Sequence, residues 1–192
     1  MSTTGSGDQA ATTRPRARLD RILPFAVIAV VVVGLDQLTK ALVVAYLEGR
    51  PPLWLLGNLV SLDATRNTGA AFSLGQTYTV LLSLFAIGVI AYIIRIARKL
   101  ASMGWAVALG LILGGAAGNL SDRLFRAPAP LQGGVVDFVS IGWWPVFNVA
   151  DSCLCVGVAI VVLLVFRGIG VDGQRVGDQS AKSDGPVSDS SS

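Results

Sequence analysis

Long apolar stretches broken by short polar ones set the pattern of this chain. Four of them, at about 22–47, 78–97, 103–121 and 147–167, are apolar over most of their length. Each is near the ~20 residues that a helix rising ~1.5 Å per residue needs to cross a ~30 Å hydrocarbon layer. The pattern therefore predicts four transmembrane helices. The flanking segments are polar: residues 1–21, "MSTTGSGDQAATTRPRARLDR", and 168–192, closing on "SDGPVSDSSS", have the composition of disordered tails. The basic start followed by "ILPFAVIAVVVVGL" imitates a cleaved signal peptide. No small-x-small site follows promptly, and the apolar pattern resumes beyond Lys40, so an uncleaved first span is expected.

The cations orient these spans. Arg14, Arg16, Arg18 and Arg21 precede the first, Arg95, Arg98 and Lys99 fill the short connection between the second and third, and Arg167, Arg175 and Lys182 follow the fourth. Under the positive-inside rule all three places, and hence both termini, are cytoplasmic. The longer loops, about 48–77 and 122–146, then face outward. In the first, "NLVSLDATRNTGAAFSL" combines short apolar alternation with Asn-Thr-Gly, which suggests strands and turns lying on the membrane surface. In the second, Trp143, Trp144 and Pro145 stand just before span four, where indole rings settle at headgroup level. The expected fold is an all-α membrane protein: four transmembrane helices, a small β-rich outer-surface loop region, and one membrane domain over 22–167 between the two tails.

Composition narrows the chemistry. The 192 residues are 53% hydrophobic and only 14% charged, too apolar for a soluble domain of this length. There is no histidine, which removes Ser-His-Asp and Cys-His constellations and every His-based zinc site. Cys153 and Cys155, both inside the fourth apolar run, read as small core residues; C-x-C on a helix turns its thiols to different faces. With no G-x-x-x-x-G-K and no Cys/His cluster, no metal, nucleotide or other cofactor is expected, and no nucleic-acid partner. Any catalysis must run on carboxylates, lysine or serine.

Several polar residues sit where an apolar helix should not have them. An ionisable group at membrane depth costs about 2.5–3.5 kcal/mol on insertion scales, so each needs a partner, a wet cavity or a function. Asp36 and Lys40, in "DQLTK", are one turn apart on one face of span one and can form an i,i+4 ion pair. Asn119 and Asp122, in "GGAAGNLSDR", share a face at the end of span three, and Asn148 and Asp151 repeat that spacing at the start of span four. Asp36 lies roughly 21 Å from the cytoplasmic start of span one at ~1.5 Å per residue. All these groups therefore fall in the outer third of the membrane, with Asp137 in one outer loop and Arg66 and Asn67 in the other. Gly110, Gly114, Gly115 and Gly118 line span three with small residues, which allows close approach by a neighbouring helix or by a substrate.

One outer polar cluster with several carboxylates suggests an aspartyl dyad. One ionised Asp takes a proton from water; its protonated partner donates to a carbonyl oxygen and then to the leaving group. Two close carboxylates force their pKa values apart, and nearby Asn side chains orient the pair and polarise the scissile carbonyl. Rival readings use the same residues: a proton-coupled transporter, although the charges gather at one side rather than crossing the bilayer, and a Ser/Lys hydrolase built from Lys40 with Ser73, Ser121 or Ser152. A purely structural membrane protein, with each polar group merely satisfied, is the broadest alternative.

Read in order, "DQLTK", "RNTGAAFSL", "GGAAGNLSDR", "VVDF" and "FNVADS" resemble the lipoprotein signal peptidases, or signal peptidase II, bacterial aspartic peptidases with four spans and both termini in the cytoplasm. The resemblance covers most of 22–167. It implies Asp137 and Asp151 as the catalytic pair. It also implies supporting or substrate-lining roles for Asp36, Lys40, Asn67, Gly69, Asn119, Asp122, Arg123, Asn148 and Ala150. Spacing leaves Asp122 as an alternative partner in the dyad, although its neighbour Arg123 offers it an ion-pair role instead. The implied reaction is hydrolysis just before the lipid-modified cysteine of a diacylglyceryl-modified prolipoprotein, in the bacterial cytoplasmic membrane near its outer face. The implied partners are such prolipoproteins and membrane lipids, with the enzyme acting as a monomer.

Overall fold

The computed structural model describes residues 13–68 and 76–175. In chain order the elements are α1 (Thr13–Tyr46), β1 (Leu53–Leu55), β2 (Val60–Asn67), α2 (Gln76–Ala97), α3 (Met103–Phe125), β3 (Val135–Ile141) and α4 (Val149–Phe166). Each of the four helices holds a stretch long and apolar enough to cross a membrane. The expected all-α membrane fold with a small β region is the fold observed.

Three boundaries differ from expectation. α1 begins at Thr13 rather than at residue 22. The segment "TRPRARLDR" interleaves arginines with Ala and Leu, good helix formers whose charge reads as a tail by composition alone. α3 runs on through "SDRLF" to Phe125, because Asp122 is buried inside the protein and Ser121 and Arg123 are half-buried rather than marking a loop. Residues 168–175, expected as disordered tail, turn back onto the α2–α3 connection. There Val171 O accepts from Ala101 N and Ser102 N, and Trp105 Nε1 donates to Ile169 O at 2.9 Å.

α3 is the hub. Of its apolar window 61% is buried, against 22% for α1 and 17% for each of α2 and α4, so the other helices face lipid over most of their surface. The glycines make this crowding feasible. A Cβ on Gly110 would lie 2.9 Å from Phe25 O, and one on Gly114 would lie 2.6 Å from Val32 Cβ and 2.8 Å from Ala29 O. On the other face of α3, a Cβ on Gly115 would lie 2.5 Å from Ala150 O. From α4, Gly157 fits against Ala108 O in the same way. Small residues thus let α1 run parallel to α3 and α4 antiparallel to it at backbone contact distance. α4 buries only one narrow face, which corrects the expectation for the cysteines: Cys153 is half-buried and Cys155 exposed, so neither is a core residue.

The strands form one antiparallel sheet in the order β1-β2-β3. Its third strand comes from the second long loop, so the sheet staples both loops together at one end of the bundle. Val136 and Phe138 of β3 pack with Val43 near the end of α1, joined by Leu62 and Ala64 of β2. β2 carries a register shift between Leu62 and Thr65, beyond which Thr65 pairs with Asp137 and Asn67 with Val135. A separate core at the opposite end gathers Phe25, Ile93, Ala97, Leu100, Ala106 and Leu109.

Replacing Gly114 or Gly115 by Ala forces backbone apart and is expected to destabilise the fold by about 1–3 kcal/mol. Gly34→Ala, where a Cβ meets nothing within 4 Å, is expected to stay within about 0.5 kcal/mol of the unmodified protein. Thermal unfolding of the purified variants in one detergent measures the difference.

Candidate active site

The buried polar residues of α1, α3, β3 and α4 converge at the sheet end of the bundle. Lys40 is the centre of one half. Its Nζ lies 2.8 Å from Asp36 Oδ2 and 2.9 Å from Asp122 Oδ2, and donates to Asn119 Oδ1 at 2.9 Å. Lys40, Asp36 and Asp122 are almost wholly buried. The helix spacing of "DQLTK" explains the first contact, since residues four apart share a face. The other two arise because α1 and α3 meet at Gly118, where a Cβ would lie 2.6 Å from Asp36 Oδ2.

Each carboxylate in this half is committed further. Asp36 Oδ1 accepts from Ala150 N at 3.0 Å, so α1 receives the first turn of α4. Asp122 accepts from Arg126 Nε at 2.6 Å and from Val136 N at 3.1 Å, tying the end of α3 to β3. The expected pairing of Asp122 with Arg123 is therefore replaced by pairing with Lys40 and Arg126. Adjacent residues on a helix point about 100° apart, whereas i,i+4 residues align. Arg123 instead donates Nη1 to Asn119 O at 3.3 Å, and its Nε is buried with no hydrogen-bond partner among the described residues.

The second half is organised by Asn148, the N-cap of α4. Asn148 Oδ1 accepts from Asp151 N at 3.0 Å and Asp151 Oδ2 accepts from Asn148 N at 3.2 Å, a reciprocal capping box that anchors Asp151 at the helix mouth. The amide of Asn148 donates from Nδ2 to Asp137 Oδ1 at 2.6 Å and to Asn119 Oδ1 at 3.1 Å. Asp151 Oδ1 accepts from Asn119 Nδ2 at 2.7 Å. Asp137 and Asp151 are thus joined through one residue, while Asn119 links that pair to Lys40. Because Asn119 Oδ1 faces the ammonium, the orientation of its amide follows from the network.

Asp137 owes its position to the sheet. Asn67 stands opposite Val135, which puts its side chain diagonal to Asp137 on the same face, and Asn67 Nδ2 donates to Asp137 Oδ2 at 2.9 Å. Asp137 is 3% exposed, and this burial pushes its carboxyl up to about 6. The amide of Asn67 opposes that rise, the charge of Asp151 adds to it, and Asn148 and Lys40 act against it. A cavity of about 280 Å³ lies beside Asp137, walled by Thr65–Thr68 and by Pro145 and Val146.

Asp36, Lys40, Asn67, Asn119, Asp122, Asp137, Asn148, Ala150 and Asp151 are therefore brought together, with Arg123 at the edge. Gly69 and Ser73 lie outside the described residues. Arg66 points away and forms an exposed bidentate pair with Glu48, Nε to Oε1 at 2.8 Å and Nη2 to Oε2 at 2.9 Å, which holds the Glu48 carboxyl below its usual range. Ser152 donates to Asn148 O rather than facing Lys40.

Some contributors were not foreseen. Gln37 donates to Asp36 Oδ2 and Gly118 O, each at 3.1 Å, and Arg126 takes the second side of Asp122. Thr79 and Ser83, buried one turn apart on α2, bond to Thr68 O and Leu131 O and so link α2 to both loops. The i,i+4 spacing of Asp122 with Arg126 is legible in the sequence; the loop carbonyls that Thr79 and Ser83 reach are not.

The chain is similar to known proteins over most of its length. A family model described as signal peptidase (SPase) II matches residues 28–167. A lipoprotein signal peptidase of Rhodococcus jostii is 53% identical over 167 residues, covering 87% of this chain and 84% of that protein. One of Mycolicibacterium smegmatis is 45% identical over 190 residues, covering 98% and 80%. A solved bacterial membrane enzyme superposes with a TM-score of 0.65 at 28% identity, covering 73% of this chain and 91% of its own. With the family model spanning the four-helix region that carries the carboxylates, the chain belongs to the signal peptidase II family and is an aspartic-type membrane peptidase.

Proposed function

We propose that this peptidase removes the signal peptide from diacylglyceryl-modified prolipoproteins, cutting just before the lipidated cysteine, with Asp137 and Asp151 as its water-activating pair. The relatives named as lipoprotein signal peptidases support the substrate class. The observation that carries the dyad is the split between the carboxylates: Asp36 and Asp122 are bound to Lys40 and, for Asp122, to Arg126 as well, whereas among the described residues the hydrogen bonds to Asp137 and Asp151 come from neutral N–H donors, with the Arg123 charge acting on both without an ion pair. A carboxylate neutralised by a cation is a poor base; one held by amides keeps its proton chemistry.

In this reading Asp137, the more deeply buried, carries the proton. Asp151 accepts a proton from water as the hydroxide oxygen bonds to the scissile carbonyl carbon, and Asp137 donates its proton to the carbonyl oxygen. The resulting gem-diol collapses: the C–N bond breaks, the proton on Asp151 passes to the departing amine, and the diol proton returns to Asp137. Asn67, Asn119 and Asn148 hold both carboxyls in place throughout. The cavity beside Asp137 receives the segment around the scissile bond.

The orientation follows from charge. The cations at the start of α1, between α2 and α3 and after α4 support an orientation with both termini in the cytoplasm and the carboxylates near the outer face. Exposed Leu53, Trp54, Leu55 and Leu56 on β1 and its turn, with Trp143 and Trp144 after β3, then rest in the outer headgroup region. The enzyme acts as a monomer with no cofactor.

Three variants test the dyad on a diacylglyceryl-modified prolipoprotein, read as a gel shift on loss of the signal peptide. Asp137→Asn and Asp151→Asn are expected to lose activity by about 10²–10⁴-fold, the range for a positioned acid or base, while remaining folded. Asp122→Asn is expected to lower stability by about 3–5 kcal/mol through the buried cation it leaves behind, with cleavage persisting in the folded fraction. Greater loss in folded Asp122→Asn than in Asp137→Asn would reassign the partner.

A pH profile tests the protonation assignment. With Asp137 as the acid, kcat/KM is expected to fall as pH rises through about 6. Asn67→Ala removes a donor that favours the ionised form, so the carboxyl holds its proton more tightly and this alkaline limb moves to higher pH. An unmoved limb would mean that the titrating group is not Asp137.

A further inference from the structure

At the end of the bundle remote from the carboxylates, a cavity of about 440 Å³ is lined by Tyr92, Arg95, Ile96, Arg98, Lys99 and Val171. We propose that this cavity holds the phosphate of an anionic glycerophospholipid, with an acyl chain lying along the lipid-facing side of α2. The binding is separate from the peptidase site and does not rest on the substrate assigned to it.

Three observations converge. First, Arg95, Arg98 and Lys99 occupy the last turn of α2 and its exit, at i, i+3 and i+4 spacing, and they wall one concave space. Charge that serves only to orient a helix needs no cavity, whereas basic pockets at the ends of transmembrane helices are suited to phosphate headgroups. Second, the far wall is built. Val171 is held by the hydrogen bonds from Ala101 N and Ser102 N to its carbonyl and packs on the core of Phe25, Ile93 and Leu100. Asp172, the carboxylate beside it, is turned into its own loop, accepting from Gln174 N at 3.1 Å, and does not line the cavity.

Third, the surface leading away from the cavity suits hydrocarbon. Leu81, Phe85, Gly88 and Tyr92 follow one another at helical spacing along α2, and the three large residues are exposed. A Cβ on Gly88 would meet nothing within 4 Å, leaving a notch between the Phe85 and Tyr92 rings. A headgroup site that continues into an apolar notched face matches a two-part ligand. Inorganic phosphate or a soluble phosphorylated molecule would use only the first part, which is why the geometry favours a lipid.

Native mass spectrometry of the full chain in a neutral detergent tests this, with phosphatidylglycerol and phosphatidylcholine of identical acyl chains as probes. Phosphatidylglycerol is expected to bind at least about tenfold more tightly, and Arg95→Gln or Lys99→Gln to weaken it about fivefold each, near the contribution of one cation to an anionic headgroup. Arg167→Gln removes the same charge at the same end of the bundle but outside the cavity, and is expected to leave binding unchanged. Equal weakening by Arg167→Gln, or equal binding of the two lipids, would overturn the proposal. So would displacement of phosphatidylglycerol by an equal concentration of inorganic phosphate, which would mark the cavity as a site for a free anion. Unchanged thermal unfolding of each variant separates lost binding from lost folding.

Discussion

A lysine ammonium buried between two membrane helices must be neutralised where it lies, because neither lipid nor protein core can solvate it. Lys40 meets this constraint with Asp36 from its own helix and with Asp122 and the Asn119 carbonyl from α3. Removing one partner from such a buried set leaves an uncompensated charge, costing about 3–5 kcal/mol. The acceptors are themselves tied onward, Asp36 to Ala150 N on α4 and Asp122 to Val136 N on β3. One charge thereby fixes the relative positions of three helices and the sheet.

Close packing makes that arrangement reachable. Side chains as short as aspartate and asparagine bridge helices only when the backbones approach, and Gly114, Gly115 and Gly118 remove the Cβ atoms that would keep them apart. The glycines of α3 serve packing within the bundle. Most receive a neighbouring helix, while Gly118 makes room for the Asp36 carboxylate itself. The division of labour among four aspartates follows: two are bound to cations and support the structure, and two face neutral amides near a cavity.

The sheet contributes what helices cannot. Asp137 lies on a strand from one long loop and is steadied by Asn67 on a strand from the other, so the two loops must pair before the carboxylate is placed. Burial in that seam, rather than proximity to a cation, governs its proton affinity. At the opposite end of the bundle the polarity is reversed, with exposed cations around a cavity in place of buried carboxylates. The chain thus carries different electrostatic signatures on its two membrane faces.

Spans, polar residues and ordered motifs were legible in the sequence because they depend on composition and short-range spacing. Asp36 with Lys40, and Asn148 with Asp151, are one helical turn or one capping box apart, distances that local geometry sets. Val135–Ile141 also carried a strand signature, β-branched residues between Gly134 and Gly142, yet its pairing with β2 joins residues some seventy positions apart and leaves no periodic trace. The same limit hid Lys40 as a partner of Asp122 and the ordered return of residues 168–175. The sequence by itself determined that this is a four-span membrane protein with carboxylates gathered at one face. That Asp122 also neutralises Lys40, and that Asp137 and Asp151 are joined through Asn148, only the tertiary structure decided, because those distances run between separate helices and strands and no spacing along the chain encodes them.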